Sequence, residues 1–295
     1  MQRTMAVNVG AALACLLALA GCAKNTEGAA PSGGPVSVSA QPNLAGLLPA
    51  PVKAKGSLAA GMDATYAPME FKDSAGKLVG FDVDLMNATA QRLGLTVNDV
   101  DASFDNILPG ITGAKYDVGV SSFSDNATRE KAVDFVDYLT AGTQWGAPAG
   151  ATVEPDNACG LSVAVQTGSI QETNDLPARN SACTAAGKPG INILKYDKQD
   201  DATSAVVLGK AKAFVADSTI TAYAVKQSAG KLQVAGPLYG AAPLGWPLKK
   251  GSVLAEPLRA ALQSLIDDGT YQKISDSWGI KAGTLTQAKV NGAGS

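Results

Sequence analysis

The chain has 295 residues, 46% hydrophobic and 17% charged, with a net charge of −2 at pH 7. That length fills one large domain or two medium ones, each with a sizeable core. No Lys/Arg-rich run stands out, which excludes nucleic acid as a partner, and the absence of histidine excludes His-based triads, His zinc ligands and the usual general base near neutral pH. An enzyme would have to move protons with Asp, Glu, Lys or Tyr. There is no Gly-x-x-x-x-Gly-Lys-Ser/Thr loop and no Gly-x-Gly-x-x-Gly between a strand and a helix. No cofactor and no metal are therefore expected.

Arg3 and the apolar residues 6–20 read as a signal peptide, too short to span a bilayer comfortably. The run ends Leu19-Ala20-Gly21-Cys22, which resembles the bacterial lipobox. On that reading residues 1–21 are removed and Cys22 carries the lipid; a plain secretory signal or an uncleaved anchor are the other readings. Two or three acyl chains would hold the protein stably at a membrane, as one chain would not. Residues 22–52 are rich in Ala, Pro, Ser and Gly and read as a flexible tether with a reach of roughly 30 Å.

From Leu58 the pattern becomes periodic. Asp63-Ala64-Thr65-Tyr66-Ala67-Pro68 is a strand running into a loop, and residues 71–79 form a short hairpin. Gly80-Phe81-Asp82-Val83-Asp84-Leu85 opens a helix. Leu85, Met86, Thr89, Ala90 and Leu93 share one face of it, and Gly94 ends it. Asp82 and Asp84 favour the helix dipole and are read as structural. A second short helix covers 104–111, and 116–120 is a buried strand.

Residues 119–135 follow, a Ser/Asp/Asn-rich turn passing into a helical pattern with Arg129 one turn inside it. Free N–H groups, hydroxyls and a guanidinium together suit a carboxylate. Equally, Asn126 is an ordinary N-cap and Arg129 a surface charge. Further on, 161–165, 191–196 and 213–216 are strands, 203–209 and 220–227 helices, and 239–250 a crossing segment with two prolines. Gln166-Thr167-Gly168-Ser169 after its strand is another anion-binding layout. Leu254, Leu258, Leu262, Leu265 and Ile266 make a helical face, and Tyr271, Ile274 and Trp278 begin the next. Residues 284–295 are expected to be disordered. Cys159 and Cys183 are the cysteines left for the folded part. In an exported chain they read as one disulfide.

Strands and helices alternate throughout, so the class is α/β, and the length of the alternation favours two lobes with the ligand between them. At Gly80-Phe81-Asp82-Val83-Asp84-Leu85 the chain resembles bacterial extracellular solute-binding proteins of family 3, the polar amino-acid receptors of ABC importers. Supporting matches run through 129–135, Asp217, Asp268-Gly269-Thr270-Tyr271 and Trp278. The resemblance implies a type II periplasmic-binding-protein-like fold, with lobe 1 at 53–143 and 246–283, lobe 2 at 144–245, and two crossing strands between them. It implies a ring sandwich from Tyr66 and Phe104. Ser124 and Arg129 would form a carboxylate clamp, completed by Thr167 and Ser169. Asp217 would pair with the α-ammonium, and Asp63 would contact the ligand side chain. Ser122 stands where the family has glycine and Asn126 where it has a second clamp hydroxyl.

The implied function is a lipid-anchored, extracytoplasmic, monomeric receptor for a glutamine- or glutamate-like amino acid that serves an ABC permease and ATPase. A small-carboxylic-acid dehydratase on the same scaffold and a ligand-sensing subunit of a signalling system are the alternatives.

Overall fold

A computed structural model describes residues 33–34 and 36–293. The signal peptide, the lipobox and Cys22 lie outside the described residues. Two short helices, α1 (Pro42–Ala45) and α2 (Ala50–Lys55), precede the first strand, β1 (Ser57–Met62). A small antiparallel sheet follows: β2 (Thr65–Tyr66), β3 (Glu70–Lys72) and β4 (Leu78–Val79). Next come α3 (Phe81–Arg92), β5 (Thr96–Asp101), α4 (Phe104–Thr112), β6 (Val118–Gly119) and β7 (Phe123–Ser124). β1 lies between β5 and β6 in a parallel sheet. α3 and α4 flank it.

The face predicted for α3 is the buried one, with Leu85, Met86, Thr89, Ala90 and Leu93 all inside. Thr89 satisfies its hydroxyl by donating to the Leu85 carbonyl at 2.8 Å. Gly80 starts the helix at φ 141°, where a Cβ would sit 2.0 Å from the Met69 carbonyl oxygen. Only glycine fits so close a backbone approach. Asp82 accepts from the Ser122 amide and the Tyr138 hydroxyl, and Asp84 from the Trp278 indole. Both therefore tie α3 to other elements.

The chain then enters β8 (Val133–Pro148), β9 (Ser162–Gln166), α5 (Leu176–Ala185), β10 (Asn192–Tyr196), α6 (Gln199–Val207), β11 (Ala213–Asp217) and α7 (Ser218–Gln227). It returns through β12 (Leu232–Lys249) to α8 (Ala255–Asp267), α9 (Thr270–Ser277) and β13 (Thr284–Val290). The second large sheet has the order β10-β9-β11-β8-β12-β7. Its first three strands are parallel, and β8 and β12 pair antiparallel along their length. That pairing shifts register between Ala235 and Tyr239, between Tyr239 and Ala242, and between Leu244 and Gly245. The disulfide joins Cys159 to Cys183 with the Cα atoms 5.5 Å apart. It sits beside a cluster of Trp145, Val163, Val165, Leu176 and Val215.

Three expectations are corrected. The tether does not extend to residue 52: Leu48 is buried, Leu44 and Val52 pack on the core, and the Gln41 amide donates to the Arg92 carbonyl. Scattered leucines in an Ala/Pro background suffice to dock this segment. The tail beyond Gly283 is ordered as β13 on β8, with Ala288 buried and Asn291 accepting from the Phe135 amide at 2.8 Å. Arg129 lies in a single 3-10 turn, Arg129–Lys131, rather than one turn inside a helix, because β8 begins at Val133.

Candidate functional site

β1 ends at Met62, and Asp63 turns the chain toward β2. The carboxylate is buried. One oxygen accepts from the Thr65 amide at 3.1 Å and the Thr65 hydroxyl at 2.6 Å. The other accepts from the Phe104 amide at 3.0 Å, at the start of α4, and from the Gln166 side chain at 2.9 Å, at the end of β9. Burial raises its pKa, with help from the Asp101 charge and against the bonds from Thr65 and Phe104. Behind it, the Asp63 amide donates to the Ser121 hydroxyl, which donates to Glu70 at 2.7 Å. Burial, then the neighbouring Asp82, pushes Glu70 well above the carboxylate range.

β11 ends at Asp217, 6% exposed. One of its oxygens accepts from the Tyr66 hydroxyl at 2.9 Å, and the other from the Gln171 amide at 2.9 Å. Burial raises its pKa, and those two bonds and the Arg129 charge oppose the rise. Arg129 sits over the Phe123 and Phe104 rings, 5.5 and 5.9 Å from their centroids. The two rings stack at 4.3 Å. Its guanidinium donates to the Ser124 carbonyl and, across the cleft, to the Gly168 carbonyl, both at 3.0 Å. Burial lowers its pKa to about 10, so it stays charged at neutral pH.

The structure thus brings Asp63, Tyr66, Phe104, Arg129 and Asp217 together. Ser124 contributes its backbone oxygen to Arg129 and lines a cavity of about 310 Å³ that also reaches Asp217. Thr167 and Ser169 turn inward instead: their hydroxyls donate to the Tyr196 and Gln166 carbonyls. The Gly168 amide in that turn already donates to Glu172 at 3.2 Å. Asn126 does cap, accepting from the Thr128 and Arg129 amides. Gln166 and Gln171, which hold Asp63 and Asp217, and Phe123, which stacks on Phe104, were missed. Gln166 and Gln171 flank the predicted anion-binding turn and Phe123 precedes the clamp serine, so adjacency was the available signal. Among the described residues no cluster could hold a metal ion, and no helix is long and apolar enough to cross a membrane.

A half-buried cation and a buried carboxylate held in one cleft, between stacked rings and a tyrosine, can grip the two ends of a zwitterion. Comparison with known proteins gives the family. The chain is 39% identical over 293 residues to an arginine-binding protein of Corynebacterium glutamicum, covering 98% of this chain and 96% of that one. It is 33% identical to an ancestral arginine-binding protein solved bound to arginine, with a TM-score of 0.70 over 76% of this chain and 98% of that one. It is 31% identical to an ancestral amino acid-binding protein described as a precursor of cyclohexadienyl dehydratase, with a TM-score of 0.64 over 77% and 97%. These structures share the two-lobe α/β fold expected from the sequence. Residues 58–281 match the profile of bacterial extracellular solute-binding proteins, family 3, and the chain belongs to that family.

Proposed function

We propose that this protein is an extracytoplasmic receptor that binds an amino acid between its lobes and hands it to an ABC permease. The convergence of Arg129 and Asp217 carries the reading. The ligand carboxylate would replace the carbonyl partners of Arg129, and its ammonium would meet Asp217. Lobe 1 comprises 53–143 and 246–283 and lobe 2 comprises 144–245, with the hinge where β8 and β12 lose register. Thr167 and Ser169 would have to rotate to join the carboxylate clamp. Cys22 carries the lipid anchor, and palmitate labelling that survives Cys22→Ala would refute that part.

The side-chain end of the cleft favours a basic amino acid over a glutamine- or glutamate-like one. Asp63 would meet the ligand side chain there, Asp101 adds to its field, and the Asp200 carboxyl is pushed up to about 6 by desolvation first and then by Asp63. Neighbouring acids favour a cation among them. The arginine-binding relatives support the same choice. Isothermal titration against the twenty amino acids tests both levels. No binding at high micromolar ligand sinks the receptor, and glutamine binding more tightly than arginine sinks the cationic pocket. Resemblance to a dehydratase precursor keeps turnover as the second reading; a bound amino acid recovered chemically unchanged, followed by mass spectrometry, rejects it.

A further inference from the structure

A cavity larger than the one beside Asp217 lies outside the cleft. It has a volume of about 640 Å³ and lies behind the crossing strands. One wall is Pro68 and the segment 278–283; the other is α7 with Val234 and Leu238 of β12; the floor is residues 140–144 of β8. Its volume suits a small ligand. The lining is mostly apolar, and it includes Leu238 at 52% and Val234 at 46% exposure, large side chains that proteins seldom leave open together. Two cations, Lys226 and Lys281, stand on it, and no acid does. Neither lysine forms an ion pair with another described residue. The Thr219 hydroxyl, on the same wall, is shielded and has no hydrogen-bond partner among the described residues.

We propose that this cavity is a second binding site, for a single-chain amphiphile with one negative charge, of the fatty-carboxylate type. The apolar walls take the chain. Lys226 and Lys281 take the head, and the Thr219 hydroxyl is a further donor. A neutral or cationic amphiphile would leave both lysines unpaired, so charge decides the class. The site is also wired to the cleft. On β8, Thr143 faces the cleft cavity while Gln144 faces this one; at the start of α7, Asp217 faces the cleft and Ser218 this cavity. An occupant touches both walls, and any movement of one against the other changes its contacts. Occupancy therefore changes amino-acid affinity, and the amino acid changes occupancy by the same factor.

The test is isothermal titration of the full chain with decanoate below its micellar concentration, without amino acid, so that the outcome does not depend on the cleft. One equivalent should bind. Lys226→Glu with Lys281→Glu, both exposed positions, should weaken it by about tenfold or more, with an unchanged thermal melt. Decanol and decyltrimethylammonium should bind more weakly than decanoate. The site is overturned if decanoate binds the charge-reversed variant as well as the parent, or if the ammonium matches it. It is also overturned if sedimentation finds a dimer that Leu238→Asp abolishes, since a second copy would then cover the face. An arginine affinity unmoved by saturating decanoate overturns the linkage.

Discussion

Asp217→Asn should separate binding from folding. The carboxylate is 6% exposed and both its oxygens are engaged, by Tyr66 and Gln171. An asparagine oxygen can still accept from Gln171, and its amide can donate to the Tyr66 oxygen, but the buried Tyr66 O–H then loses its acceptor, at a cost of about 1 to 3 kcal/mol. Burial raises the folded-state pKa of Asp217, which means ionisation costs more in the folded than in the unfolded chain. At pH 7 the charge therefore opposes folding, and its removal offsets the bond lost at Tyr66, so the variant should still fold cooperatively with a melting temperature within about 5 °C of the parent. Binding should fall. The ligand ammonium would be buried without its counter-charge, a loss of about 2 to 5 kcal/mol, or roughly 30- to 4,000-fold in Kd. Arginine titration and a thermal melt on the same preparation measure the two arms. An Asn variant that melts normally and binds arginine within about threefold of the parent would remove Asp217 from the ligand site.

Asp63→Asn should shift preference away from arginine toward glutamine in a competition titration, by about tenfold or more; an unchanged ratio would place the side-chain contact elsewhere. Replacing Cys159 and Cys183 by serine reopens a loop with a sequence separation of 24. The chain-entropy relation gives a loss of about 3.5 kcal/mol, or a fall of roughly 7 to 14 °C in Tm, and a fall under about 2 °C would contradict it. Burial, then Asp137 and Glu130, push Asp125 up to about 8, and Asp137 is itself raised to about 6. Between pH 5 and 8 the folded state thus keeps a proton that the unfolded chain has released. Stability should fall as pH rises through that window, by up to about 1.4 kcal/mol per pH unit per proton. Denaturant melts of Asp125→Asn should show a shallower slope, and an identical slope would refute the assignment.

Much of the fold was legible because periodicity and burial coincide in it. The apolar faces of α3, α8 and α9 could be read at helical spacing, and Gly80 and Gly94 bracket α3 where the backbone needs them. Arg129 and Asp217 could be singled out because one lies in the polar turn after a strand and the other ends a strand. The partners of these residues could not. Gln171 reaches Asp217 across 46 positions and Tyr66 reaches it across 151, distances at which local sequence carries no signal. The ordered ends were invisible for a related reason. Leu44, Leu47 and Leu48 stand in a Pro/Ala/Gly background, and β13 shows only one fully buried residue, Ala288. Leu44, Leu48 and Val52 do keep helical spacing, but Gly46, Pro49 and Pro51 interrupt it, and β13 offers no alternating face; both segments are held by the elements they pack on. Thr167 and Ser169 misled because a Gly/Ser/Thr turn has the composition of an anion site whether its hydroxyls face outward or, as here, close on their own backbone.

The residues assigned to the ligand also hold the cleft together. Tyr66 reaches Asp217, Asp63 reaches Gln166 and Arg129 reaches the Gly168 carbonyl, each bond running from the first part of the chain to the second. A typical hydrogen bond contributes about 1 kcal/mol net, and one to a charged group roughly 1.5 to 3. A ligand therefore exchanges contacts; it does not create all of them. The Arg129 fork has five donors, and the structure gives its guanidinium two carbonyl partners. Trading a neutral carbonyl for a bidentate carboxylate improves that bond, and trading the Tyr66 hydroxyl for an ammonium improves the one at Asp217. Affinity then follows from the difference between two sets of cross-cleft bonds. Weakening the protein's own bridge should accordingly tighten binding, provided the bridging group is not itself a ligand contact. Gln166 meets that condition: it bonds Asp63 without supplying charge to the zwitterion.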